Sequence, residues 1–101
     1  MIAAVKLVNE QFMGEFYFRK DQEATARGLL AEGHYRRTGP CVVTELQGEA
    51  AAEEIFDLTN NPGRQAEREE RWGRFRSVSV GDIVNVDGQD YLCASMGWQR
   101  L

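Results

Sequence analysis

Apolar and polar positions along this chain fall into short runs with two different periods. Residues 2 to 8 (IAAVKLV) are apolar and suited to a strand, and residues 14 to 19 (GEFYFR) alternate in part and are aromatic. Asn9-Glu10-Gln11 can turn the chain between them, so the pattern predicts a first hairpin. The spacing then changes. Residues 22 to 32 (QEATARGLLAE) are mostly helix formers, with Ala26, Leu29 and Leu30 on one face. Asp21 is placed to cap this helix and Gly33 to end it. Gly28 weakens it by about 1 kcal/mol relative to alanine.

Residues 34 to 38 (HYRRT) and 41 to 46 (CVVTEL) are again β-rich. Gly39-Pro40 interrupts them, giving two short strands or one irregular edge strand. A second helix is expected over residues 49 to 59 (EAAAEEIFDLT), burying Ala52, Ile55, Phe56 and Leu58 or Thr59. Glu49, Glu53, Glu54 and Asp57 form its wet side. Asn60-Asn61-Pro62-Gly63 stops it. Residues 64 to 72 (RQAEREERW) predict a short charged surface helix with Glu67 and Arg71 as an i, i+4 pair.

Residues 78 to 100 carry the clearest signals and predict a C-terminal antiparallel hairpin. Gly81-Asp82 marks a turn or bulge, and Ile83, Val84 and Val86 a β-branched strand. Asp87-Gly88 turns the chain, with Gln89 and Asp90 lengthening the loop. Tyr91 to Met96 return, and Gly97-Trp98 closes the unit. Trp98 is expected to pack across the end of the sheet with one partner for its indole N–H. The predicted order is ββαβα, a charged connector, then ββ. That order predicts a single α+β domain over residues 1 to 101, with a mostly antiparallel sheet and both helices packed on one face.

Composition agrees with a folded domain: of 101 residues, 43% are hydrophobic and 28% charged. No apolar run approaches the roughly 20 residues of a membrane span. The N-terminal sequence lacks the pattern of a signal peptide, so a cytoplasmic location is expected. Cys41 and Cys93 lie far apart, as expected of two buried reduced thiols. Net charge is −4, yet its distribution is uneven. Five acidic residues and no basic one lie between Glu45 and Asp57, and five arginines lie between Arg64 and Arg76.

The string Arg76-Ser77-Val78-Ser79-Val80-Gly81-Asp82-Ile83-Val84, with Asp87-Gly88, Tyr91-Leu92-Cys93 and Gly97-Trp98, resembles the C-terminal half of small bacterial proteins carried by phages, plasmids and integrative elements, YodL-like domains among them. Ile55-Phe56-Asp57-Leu58-Thr59-Asn60 resembles their preceding helix. The likeness covers residues 50 to 101. It implies an accessory protein of a mobile element and carries over no catalytic residue.

Chemistry-bearing motifs are sparse. His34, the one histidine, with Cys41 or Cys93 would make a thiol–imidazole pair, but neither cysteine stands in a nucleophile motif. Zinc-ligand spacing and phosphate-binding glycine loops are lacking, so no metal or cofactor is expected. Glu53-Glu54 and Glu69-Glu70 fit solvated helix faces. The segment that stands out is Arg64, Arg68, Arg71, Trp72, Arg74, Phe75 and Arg76. Arginine and tryptophan are preferred anchors at protein interfaces. The same residues could stack on bases and contact phosphates, although Glu67, Glu69 and Glu70 offset their charge. A third reading is purely structural, with Trp72 and Phe75 tucked under the connector. The expectation is a non-enzymatic accessory protein that binds a host or element protein, as an inhibitor of a host protein or defence system. Nucleic-acid association through residues 64 to 76 is the alternative. No membrane association is expected, and an exposed sheet edge would allow a homodimer.

Overall fold

The structure is a computed structural model that describes residues 2–18, 20–38 and 41–101. Its frame is a six-stranded antiparallel sheet. The first strand, β1 (Ile2–Val8), lies inside the sheet. One side of it pairs with β2 (Tyr35–Arg37) and β3 (Val42–Val43). The other side pairs with β4 (Ile83–Val86), followed outward by β5 (Gln89–Ala94) and β6 (Gly97–Arg100). The helices are α1 (Glu15–Phe18), α2 (Gln22–Ala31), α3 (Gly48–Asn60) and α4 (Gln65–Arg71). This is the α+β class with the antiparallel sheet expected from the sequence. Among the described residues no helix is long and apolar enough to cross a membrane.

The period of two in β1 explains the layers. Ala3, Val5 and Leu7 point to one face, where they meet Ala51, Ala52, Ile55 and Leu58 of α3 together with Val84, Val86, Tyr91 and Cys93. Val8 points to the other face and joins Ile83, Leu92, Phe16, and Ala26 and Leu29 of α2. The two long helices therefore cover opposite faces. The expected packing of both on one face is corrected. The inner strands are mostly apolar on both faces, as a sheet sandwiched between helices requires, apart from Lys6, Asn85 and Asp90, which hydrogen-bond to one another on the α2 face.

The first hairpin is also corrected. The chain from Glu10 to Phe12 forms a 3-10 turn, and residues 15 to 18 are helical rather than extended. Phe16 N–H donates to Met13 O and Tyr17 N–H to Gly14 O. The compact form lets Phe16 bury fully against Gly81, which a strand at the rim could not do. Arg19, at the end of that expected strand, and the Gly39-Pro40 break lie outside the described residues. The β-rich stretch around that break yields two short strands.

The helix signals behave as read. The Asp21 side chain accepts from Ala24 N–H at 2.9 Å, and Gly33 follows α2 with φ +80°. α3 ends where Asn61 begins the Pro62 turn, with the Asn61 side chain accepting from Gly63 N–H at 2.9 Å. The C-terminal unit is a three-stranded meander rather than a hairpin. Asp87 (φ 47°) and Gly88 (φ 89°) make a two-residue turn of the type that matches strand twist, so Gln89 and Asp90 belong to β5 instead of the loop. Ser95 and Met96 form a second turn, and residues 97 to 100 become β6. Trp98 packs on Phe56 at a ring distance of 6.4 Å and donates its indole N–H to Glu53 at 2.8 Å.

Candidate functional site

The connector leading into β4 holds the arginines and aromatics singled out by sequence, and four of its arginines bind oxygens of the protein itself. Arg64 donates to Glu54 and Asp57 of α3 and to Glu67 of α4. Its bonds to Glu67, then to Glu54 and Asp57, raise the guanidinium further above its ordinary value. The same Arg64 contact holds the Glu67 carboxyl below the usual range. Arg68 reaches inward to Thr59 O at 2.7 Å, Ser77 Oγ at 2.9 Å and Phe75 O at 3.0 Å. Arg71 bridges Glu67 and Val43 O.

Trp72 is 2% exposed, with its indole N–H shared between Phe75 O and Arg76 O. Phe75 packs edge-on to it at 6.1 Å. Arg74 is exposed and makes no hydrogen bond or ion pair among the described residues. The seven residues are thus close in sequence but do not form one outward surface.

Arg76 has a different environment from the others. It grips Asp82 through both terminal guanidinium nitrogens, Nη1 and Nη2, at 2.6 and 2.8 Å, and also donates to Val8 O at 2.7 Å. Asp82 is fully buried, and its carboxylate further accepts from Val8 N–H and Ser79 N–H. Its backbone closes a turn onto Ser79 O, in which Gly81 occupies the left-handed position at φ +100°. Gly81 N–H donates to Cys93 O while Cys93 N–H donates to Asp82 O, the two-against-one pattern of a bulge. Tyr35 OH donates to Gly81 O at 2.6 Å. Burial, and after it the charge of Asp82, raises the Tyr35 phenol above its ordinary value. Most of the string Arg76 to Val84 is therefore a lock between the connector, β1 and β4.

The thiols and the imidazole remain apart in role. Cys41 is exposed and Cys93 buried, so the expectation of two buried thiols is corrected for Cys41; both are free. Burial, then the charges of Asp82 and Glu53, push the Cys93 thiol up to about 12, which keeps it protonated and unreactive near neutral pH. Cys93 lines a cleft with Glu53, Phe56 and Trp98, without His34. His34 stacks on Phe12 at 4.0 Å and contacts Glu32 at 3.2 Å. Among the described residues no group of three His, Cys, Asp or Glu side chains is placed to hold a metal ion.

A preorganised exposed surface lies elsewhere, at the β5–β6 turn. Gln22 at the start of α2 donates to Phe16 O at 2.9 Å and to Ser95 Oγ at 2.8 Å, and accepts from Ser95 N–H at 3.1 Å. It ties α1, α2 and the turn together. Met96 at the tip is 97% exposed and Tyr17 66% exposed. Together with Phe16, Lys20, Ala94 and Gln99 they border an open cleft of about 400 Å³. Sequence alone conceals this site, because Met96 continues the alternation of β5 and reads as a strand residue. The one local hint is Gly97 directly after it. The chain matches no family model, no curated protein and no solved structure.

Proposed function

We propose that this chain is a non-enzymatic accessory protein of a phage or other mobile element, acting in the cytoplasm by binding a second protein and so inhibiting a host protein or defence system. The observation that carries protein binding is the presentation of Met96 and Tyr17. Two large side chains stand in water, Met96 on the β5–β6 turn and Tyr17 on α1, and Gln22 ties the two elements together. A preformed apolar contact loses little ordering entropy on association, and methionine adapts its shape to a partner. Lys20 beside the cleft would favour a partner with acid near its apolar anchor. The mobile-element setting rests on the likeness of residues 50 to 101 to YodL-like proteins, and genomic neighbourhood tests it.

Affinity capture from a bacterial lysate tests the binding. Wild-type protein should retain a specific partner, Met96→Glu and Tyr17→Glu should lose it at unchanged unfolding temperature, and Arg74→Glu should keep it. Absence of a specific partner, or equal retention by the Met96 and Tyr17 variants, rejects the proposal. Nucleic-acid association through residues 64 to 76 has less support, since Arg64, Arg68, Arg71 and Arg76 already bind protein oxygens. It requires binding that falls steeply with salt, and a flat mobility-shift titration at low salt excludes it.

A further inference from the structure

The β6 edge of the sheet is complementary to itself. Leu101 N–H donates to Asp90 O at 3.0 Å across the β5–β6 ladder. Inward and outward backbone groups alternate along an antiparallel strand. Gly97 and Gln99 therefore also face β5, while the N–H and C=O groups of Trp98 and Arg100 face outward. The side chains of Trp98 and Arg100 share the face covered by α3, since they pair with Cys93 and Tyr91. On that face Glu53 accepts from the Trp98 indole and has no cationic partner among the described residues. Among the described residues the Arg100 side chain reaches only the Gln89 side-chain oxygen, at 3.2 Å.

We propose that β6 pairs antiparallel with β6 of a second copy around a two-fold axis at Gln99, so that Trp98 of each copy lies opposite Arg100 of the other. In this register both outward-facing residues of each strand exchange hydrogen bonds. It also sets the guanidinium of the second copy against the Trp98 ring and beside Glu53, and symmetry repeats the contact. Centring the axis on Trp98 or on Arg100 would align one outward pair only and place like against like. Gly97 falls opposite Leu101 of the second copy, where the missing side chain leaves room. The other edge is unsuited: β2 is three residues long, and self-pairing there would set exposed Arg36 and Arg37 against arginines. A contact this small lies at the weak end of specific interfaces.

Sedimentation equilibrium up to about 500 μM, a range that covers weak dimers, should show reversible dimerisation. Arg100→Pro removes an N–H that the strand's own sheet does not use, so the fold should persist while association weakens at least about tenfold. Glu53→Arg should weaken the dimer, and Glu53→Arg with Arg100→Glu should restore it. In a Cys41→Ser background, Gln99→Cys should crosslink on mild oxidation, because directly opposed non-hydrogen-bonded residues lie about 4.5 Å apart at Cα. Arg36→Cys in the same background should not. A monomer throughout the range, a dimer indifferent to Arg100→Pro, or crosslinking at residue 36 instead of 99 overturns the proposal. Gln99 borders both surfaces, but Met96 and Tyr17 lie outside the pairing and Glu53 and Arg100 outside the cleft, so their variants let either proposal fail without the other.

Discussion

Gly81 and Gly28 respond in opposite ways to the same added methyl group. A Cβ on Gly81 would stand 2.5 Å from the Phe16 ring, on a backbone at φ +100°. Gly81→Ala should therefore destabilise by about 2 to 4 kcal/mol, combining overpacking with left-handed strain. Gly28 lies in α2 with open space around it, and Gly28→Ala should stabilise by about 0.5 to 1 kcal/mol. Denaturant titration of both variants checks the pair of signs. The two cysteines diverge as well. Cys41 should react promptly with a thiol reagent and Cys93 only on unfolding. Because the folded Cys93 thiol lies near 12 against an ordinary 9.0, its stabilising contribution is complete below pH 9 and is lost as pH rises towards 12. Unfolding temperatures above pH 9 should thus fall less steeply in Cys93→Ala than in wild type.

At the scale of elements, local chemistry was legible and long-range placement was not. The Asp21 cap, the Asp87-Gly88 turn and the Asn61 stop are decided by neighbours within four residues, and each appears where the sequence put it. Residues 14 to 18 misled because aromatic alternation mimics a strand. Their helical form is set by the fit of Phe16 onto Gly81, a contact distant in sequence. The faces of α2 and α3 were hidden for a similar reason: each helix shows an apolar stripe, but a stripe does not say which side of the sheet it meets. The connector shows the same limit for the site. Its composition resembles an interface, whereas the partners of Arg68 and Trp72 are backbone carbonyls and the Ser77 hydroxyl, which sequence cannot locate. Arg68→Ala should cost about 2 to 4 kcal/mol through loss of these charged hydrogen bonds. Arg74→Ala should change stability by less than about 0.5 kcal/mol, as chemical denaturation will show.

At the scale of the molecule, Asp82 joins parts of the chain that are far apart. Its carboxylate binds Val8 of β1, Ser79 of the approach to β4 and Arg76 of the connector. Asp82→Asn would turn an acceptor into a donor among donors, and Arg76→Ala would strand a buried carboxylate. Each should destabilise by about 3 to 5 kcal/mol, with strong non-additivity in the double variant. Equilibrium unfolding of the two single variants and the pair measures it. If Arg76→Ala and Asp82→Asn were additive, the lock would not be one unit.

The position of β1 has a consequence for how the protein is made. It is synthesised well before β4 (residues 83 to 86), to which it hydrogen-bonds. Until those residues are available, an apolar strand (IAAVKLV) has one edge open, and its Val8 N–H lacks the Asp82 carboxylate. Such contacts form slowly because a long loop must close first. The nascent chain therefore passes through an interval in which β1 can pair with foreign strands or engage chaperones. Weakening the late-arriving lock should prolong that interval and lower soluble yield by more than the loss of equilibrium stability alone accounts for.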